Sequence, residues 1–168
     1  MGIVHSFIDN SKPYQDLKKV LDDLNSGYVK SGFPEGKEPG AATRSKANAK
    51  PYDNMSEVAR VAAWNEFGTR TIPSRPFFRT AIDGSREKIF EKVSQFADLA
   101  LVGKKTVDQA FELLGLFMQG IIRASIRSNI QPPNTLKTIA AKRGSTRTLI
   151  DSGQMINSVT FVKVQGKK

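Results

Sequence analysis

Residues 62–82 read Ala-Ala-Trp-Asn-Glu-Phe-Gly-Thr-Arg-Thr-Ile-Pro-Ser-Arg-Pro-Phe-Phe-Arg-Thr-Ala-Ile. They hold the only Trp of the chain, three of its ten Phe and two of its eight Pro. The start of this stretch ends a helix, the middle is a loop, and the last residues open another helix. Gly68 suits the left-handed position that stops a helix, because it has no Cβ to clash there. Pro73 and Pro76 fix their own φ and push the residues before them, Ile72 and Arg75, toward extended backbone. Arg70, Arg75 and Arg79 punctuate the same span. A stiff aromatic connector that carries arginines is a poor catalytic loop and a good docking surface, since these residue types dominate interface hot spots. The interface candidates are Trp64, Glu66, Phe67, Arg70, Arg75, Phe77, Phe78 and Arg79. For any single aromatic among them, core burial is the competing role. Glu66 has two readings: a partner for Arg70 or Arg75, in this chain or the next, or a charged residue of a last helical turn.

Working outward, Ser56 caps a helix that runs to Phe67 and carries Val58, Ala59, Val61 and Ala62. Downstream, Ile82, Ile89, Phe90, Val93, Phe96, Ala97, Leu99 and Ala100 predict one helix over 79–102, with Gly84 as its weak point. Thr106 caps the strongest helical pattern in the chain: Val107, Ala110, Phe111, Leu114, Phe117, Met118, Ile121 and Ile122 recur at three and four residues. To Arg127 this helix is about 33 Å long. Leu113 and Leu116 widen its apolar stripe, so it packs on more than one side. Gly115 and Gly120 are five apart, which is not the spacing of a small-residue helix seam.

Near the start, Ser11-Lys12-Pro13 opens a helix that Gly27 ends. Tyr28, Val29 and Phe33 fit a short strand, and residues 1–9 fit a strand or an arm. Residues 35–54 have almost nothing apolar larger than alanine before Tyr52 and read as a long basic loop. That loop is either an insertion, tolerated because closure entropy grows slowly with length, or a segment that folds against a neighbour. Asn134 or Thr135 caps a short helix through Ala141. Residues 142–145 form a basic turn, residues 149–158 a segment tied by Asp and Ser side chains, and residues 160–164 a final strand.

The 168 residues suit a single domain, and a hydrophobic content of 39% is enough for a core. There is no Cys, so neither a disulfide framework nor thiolate chemistry is expected. No apolar run is long enough for a membrane span, and the first residues lack the basic-then-apolar pattern of a signal peptide. His5 is the only histidine, which excludes a His/Cys metal site and leaves no triad motif. Asp22, Asp23, Glu66, Asp83 and Asp151 are not arranged for glycosidic or two-metal work, and no phosphate-binding glycine loop is present. No catalytic residue, cofactor or metal is expected. The net charge is +10, and residues 136–168 carry seven basic residues against one acid, Asp151. This balance suits DNA or an acidic partner, with Lys142, Arg143 and Arg147 as the contacts, or else it is a solvated surface.

Two motifs carry a resemblance. Residues 62–69, Ala-Ala-Trp-Asn-Glu-Phe-Gly-Thr, followed by 72–79, Ile-Pro-Ser-Arg-Pro-Phe-Phe-Arg, resemble a pattern in small neck and tail-completion proteins of tailed bacteriophages. A second pattern of that family, placed before the last strand, is similar to residues 149–159, Leu-Ile-Asp-Ser-Gly-Gln-Met-Ile-Asn-Ser-Val. Both motifs stand in the family's order, and with the helices between them they cover about residues 58–164. The resemblance implies an α+β fold: one domain over 1–168, with a small antiparallel sheet, long helices packed against it and an extended loop. It implies a non-enzymatic virion protein, assembled in the host cytoplasm. Such a protein forms a homo-oligomeric ring, commonly a hexamer. The ring joins a head-side connector or adaptor protein to the tail tube or tail terminator protein, around the channel for DNA. It implies no cofactor and no membrane. The alternative, from charge alone, is a basic DNA-binding module acting in packaging or nucleic-acid organisation.

Overall fold

Capping residues and glycines set the elements. In the computed structural model, which describes residues 11–33, 56–142 and 145–164, α1 (Lys12–Ser26) has a proline in its first turn and stops at Gly27. Proline is tolerated there because the N–H it lacks would have no intrahelical partner. β1 (Tyr28–Gly32) follows. α2 (Glu57–Phe67) is capped by the Ser56 side chain, which accepts from the Ala59 N–H, and ends at Gly68 with φ 77°. α3 (Phe77–Gly84) and α4 (Arg86–Leu101) are two helices that meet at Ser85. The single helix expected over 79–102 is thus broken, just past the glycine that weakens it. α5 (Val107–Arg127) opens with a capping box between Thr106 and Gln109. α6 (Leu136–Ala141) is capped by Thr135. α7 (Gln154–Ser158) is a single turn that the sequence pattern does not predict; it is entered through left-handed Gly153, and the Ser152 hydroxyl accepts the Gln154 N–H. β2 (Thr160–Val164) completes the described residues.

The architecture is α+β, with seven helices and one two-stranded antiparallel sheet among the described residues. Tyr28 lies opposite Val164 and Gly32 opposite Thr160, so an early segment pairs with a late one. α5 is the hub: it packs against α3, α4 and both strands, and touches α1. This is the multi-sided packing that its wide apolar stripe predicts. Gly115 makes the helix–sheet contact possible, since a Cβ there would run into the ring of Phe161 on β2. Lys163 ties the same strand to the start of α5 through Asp108 at 2.7 Å and Glu112 at 3.6 Å. The hydrogen bond to Asp108 is the main reason its ammonium is held above the ordinary lysine range.

The core gathers Val58 and Ala62 of α2, Phe77 and Ala81 of α3, Ile122 and Ile126 of α5, and Leu149, Met155, Ile156 and Val159. Ile122, Ile126, Phe77 and Val159 are almost wholly enclosed. Inside it the Ser125 hydroxyl donates to the Phe77 carbonyl at 2.7 Å, which fixes α3 on α5. α1 buries no residue completely and leaves Tyr14, Leu17 and Leu21 substantially exposed. Among the described residues no helix is long and apolar enough to cross a membrane. The segment at 1–9, the loop at 35–54 and Arg143 lie outside the described residues.

Candidate functional site

The stretch after α2 folds back onto the helix it leaves. The Gly68 N–H donates to the Trp64 carbonyl at 2.9 Å, the Thr69 N–H to Ile72 at 2.8 Å and the Arg75 N–H to Asn65 at 2.6 Å. The Ser74 hydroxyl donates to the Glu66 carbonyl at 2.8 Å. Gly68 is required twice over: its φ is positive, and a Cβ would sit 2.9 Å from the Ser74 nitrogen. The result is an elbow whose backbone hydrogen bonds are largely internal.

Glu66 faces inward and is only 5% exposed. Its Oε2 accepts the Phe78 N–H at 2.8 Å, and its Oε1 accepts the Arg79 N–H at 3.2 Å and Arg79 Nε at 3.1 Å. A carboxylate from the end of one helix therefore caps the start of the next, where free N–H groups and the helix dipole favour negative charge. Within the chain the arginine that pairs with Glu66 is Arg79, not Arg70 or Arg75. α3 begins at Phe77, two residues before the sequence pattern suggests, because Glu66 holds its first turn.

Arg75 is 6% exposed. Its Nε donates to the Pro132 carbonyl at 2.7 Å, and Nη2 donates to the Pro133 carbonyl at 3.3 Å and to Asn134 Oδ1 at 3.3 Å. Burial lowers its pKa from the ordinary arginine value. Phe77, 1% exposed, meets Phe33 and Phe78 edge to face, with ring centres 6.3 and 6.4 Å apart. Glu66, Arg75 and Phe77 are thus enclosed by their own chain. As interface contacts they are corrected: their partners are internal. Phe78 is half-buried and packs on the core.

The outward half keeps the remaining candidates. Trp64 is 40% exposed and Phe67 is 67% exposed. The Arg79 guanidinium stands over the Phe67 ring at 5.8 Å, and Arg60 stands over Trp64 at 5.9 Å. Arg70 is exposed at the turn. Arg60 is absent from the sequence-based candidates, although its four-residue spacing to Trp64 puts the two on one helix face.

The basic candidates divide as well. Lys142 is half-buried, and its Nζ donates to the carbonyls of Arg147 at 3.2 Å, Thr148 at 3.1 Å and Ile150 at 3.3 Å. Burial is the leading cause that lowers its pKa; Asp151 opposes this and Arg75 adds to it. Lys142 is corrected from a free surface cation to a staple that holds residues 147–150. Arg147 remains exposed and donates Nη1 to the Arg127 carbonyl at 3.3 Å. Asn134, one of the two cap candidates for α6, leaves the capping to Thr135 and instead links the two regions: it accepts from Arg75 and donates to the Arg147 carbonyl at 3.0 Å.

Between the elbow and residues 133–155 lies a groove of about 530 Å³ with Arg75 and Lys142 among its lining residues. Among the described residues, no group of three or more His, Cys, Asp or Glu is placed to hold a metal ion. The arrangement presents a rigid aromatic–arginine face outward, beside a groove whose lining holds two cations, Arg75 and Lys142, and two acids, Glu57 and Asp151. Compared with protein-family models, curated proteins and solved structures, the chain matches none.

Proposed function

We propose that this chain is a structural ring subunit of the tailed-phage neck, joining the head connector to the tail tube around the DNA channel. The observation that carries the reading is the two-sided elbow. Its inner half is locked by Glu66 and Arg75, and its outer half leaves Trp64 and Phe67 in solvent beneath Arg60 and Arg79. Large exposed aromatics stacked with arginine on a rigid support are costly to leave in water and are typical anchors of protein–protein contacts. A second support is that the two motifs behind the resemblance meet in one core: Phe77 of the first packs in the same cluster as Leu149, Met155, Ile156 and Val159 of the second.

In this reading the outer elbow of one copy docks on a different surface of the next, and the repeated contact closes a ring. Trp64 and Phe67 are the anchors, and Arg70 and Arg79 flank them. Arg147 and other surface cations add a salt-sensitive attraction to DNA in the lumen or to an acidic neighbour. Native mass measurement of the purified protein tests the ring, with a closed oligomer, six copies, as the expected species. Electron microscopy of virions tests the location. A protein that stays monomeric at all concentrations and is absent from particles overturns the proposal.

A further inference from the structure

Residues 113–150 hold six basic residues and no acidic one, while the rest of the chain is near balance, twenty against sixteen. The fold gathers most of that excess around the C-terminal end of α5. The Arg147 Nη1 donates to the Arg127 carbonyl at 3.3 Å, so its guanidinium lies along the last turn of the helix. Arg123 stands one turn earlier. Lys137 is three residues beyond Asn134, whose amide donates to the Arg147 carbonyl at 3.0 Å. Arg127, Lys137 and Arg147 are exposed, and Arg123 is half-buried. Among the described residues no carboxylate lies within 4.0 Å of any of the four. Glu57 and Asp151 line the groove beside the elbow, which none of the four cations lines, and Glu112 faces Lys163 near the other end of α5. The backbone under Arg147 is pinned: Lys142 Nζ donates to the carbonyls of residues 147 and 148, and Asn129 Oδ1 accepts the Thr148 N–H at 2.9 Å. The guanidinium therefore projects from a fixed point.

We propose that the C-terminal end of α5, with Arg147 and Lys137 beside it, binds the phosphate backbone of duplex DNA. Exposed like charges gathered without counter-ions repel one another, and a polyanion relieves that cost while releasing its own condensed ions. The contacts are Arg127, Lys137 and Arg147. Arg147 keeps Nε and Nη2 for phosphate oxygens, whereas Arg123 spends Nε and Nη2 on the carbonyls of Ile156 and Val159 and adds its charge from behind. An acidic protein surface fits less well. Protein contacts are anchored by apolar and aromatic side chains, and past Leu116 the one large exposed hydrophobic among the described residues is Leu136. A single strand fits less well for a related reason, since it stacks its bases on exposed aromatics. The inference deepens the DNA part of the ring reading. It rests on that reading for where the duplex lies, and not for the binding itself.

Fluorescence anisotropy of a short labelled duplex, titrated with the protein over a range of salt, tests it. The expected result is saturable binding at about 50 mM salt that weakens steeply as salt rises. Arg127→Gln with Lys137→Gln and Arg147→Gln is expected to bind at least about tenfold more weakly. It is also expected to reduce the slope of log K against log salt by about 2–3, roughly one for each phosphate contact. A control of equal charge, Lys19→Gln with Lys104→Gln and Lys105→Gln, lies at the other end of α5, about 30 Å away and beyond the screening length. It is expected to change binding by less than about threefold. Arg127→Lys with Arg147→Lys keeps the charge and is expected to keep the slope, which separates lost charge from lost structure. No saturable binding, an equal loss in the control, an unchanged slope in the triple variant, or stronger competition by polyglutamate than by unlabelled duplex overturns the inference. The native mass of the same samples reads the ring separately, so a ring without duplex binding removes this inference alone.

Discussion

Glu66 and Phe78, at the end of one helix and the start of the next, are joined by a carboxylate-to-amide hydrogen bond of 2.8 Å. Together with the Arg79 amide at 3.2 Å, it fixes the angle at which α3 leaves the elbow. Glu66→Ala leaves both N–H groups without their acceptor in a nearly closed site, and is expected to cost about 2–4 kcal/mol. Glu66→Gln keeps an acceptor and is expected to cost roughly half of that. Urea unfolding midpoints of the three proteins check the order; an unchanged midpoint for Glu66→Ala removes the capping role.

Arg75 and Arg70 test the two sides of the same loop. Arg75→Lys keeps the charge but loses the forked reach to Pro132, Pro133 and Asn134, and is expected to lose about 2–3 kcal/mol. Arg70 is exposed, so Arg70→Lys is expected to stay within about 0.5 kcal/mol of the original. Equilibrium unfolding of both variants is the check, and equal effects contradict the inward and outward assignment.

Gly115 and Gly120 sit in the same helix with opposite surroundings. A Cβ at Gly115 meets the Phe161 ring, whereas one at Gly120 meets nothing within 4 Å. Gly115→Ala is expected to destabilise by about 1–3 kcal/mol through overpacking. Gly120→Ala is expected to stabilise by about 0.5–1 kcal/mol, because alanine loses less backbone entropy in a helix. A double-mutant cycle of Gly115→Ala with Phe161→Leu checks that the first cost comes from the ring, since trimming it should recover part of the loss.

Lys142 gives a signed pH dependence. Burial lowers its folded-state pKa from the ordinary 10.5, so the folded protein sheds this proton first. Between the folded pKa and 10.5 the unfolded chain binds more protons, so this group's contribution to stability rises with pH, levels off above 10.5, and is lost as pH falls through the folded pKa. Urea midpoints of the original protein and Lys142→Met across the alkaline range are expected to shift in favour of the original as pH rises. A shift the other way contradicts the burial of this ammonium.

The outer elbow makes the assembly prediction. Trp64→Ser with Phe67→Ser removes the exposed aromatics and leaves Glu66 and Arg75 with their partners. Monomer stability is expected to change by less than about 1 kcal/mol, while the ring is lost in native mass spectra. A ring that survives the double substitution excludes this face from the contact.

What the sequence made legible was local. Ser56, Thr106 and Thr135 are caps with their own hydrogen bonds, and Gly27 and Gly68 end helices, Gly68 with a positive φ and Gly27 with an extended backbone packed under the Phe111 ring. The long stripe of α5 marked the hub, and the weak point at Gly84 marked the break between α3 and α4. Composition could not show partners far along the chain. Arg75 bonds to residues 57–59 positions away, and Glu66 to residues 12 and 13 away. An arginine in a Pro-Ser-Arg-Pro loop reads as exposed until its carbonyl partners are known, and so does a glutamate in a last turn. Gly115 likewise has meaning only beside Phe161, which no helical spacing brings to mind.

The pairing of β1 with β2 has a consequence for synthesis. A ribosome releases residues 28–32 long before residues 160–164 exist, so β1 waits through the making of every helix from α2 to α7. Contacts this distant in the chain close late, because the loop between them must first be ordered. The waiting strand has only the growing α5 to pack on, and a nascent chain halted anywhere before Thr160 carries an open edge that invites the wrong mate.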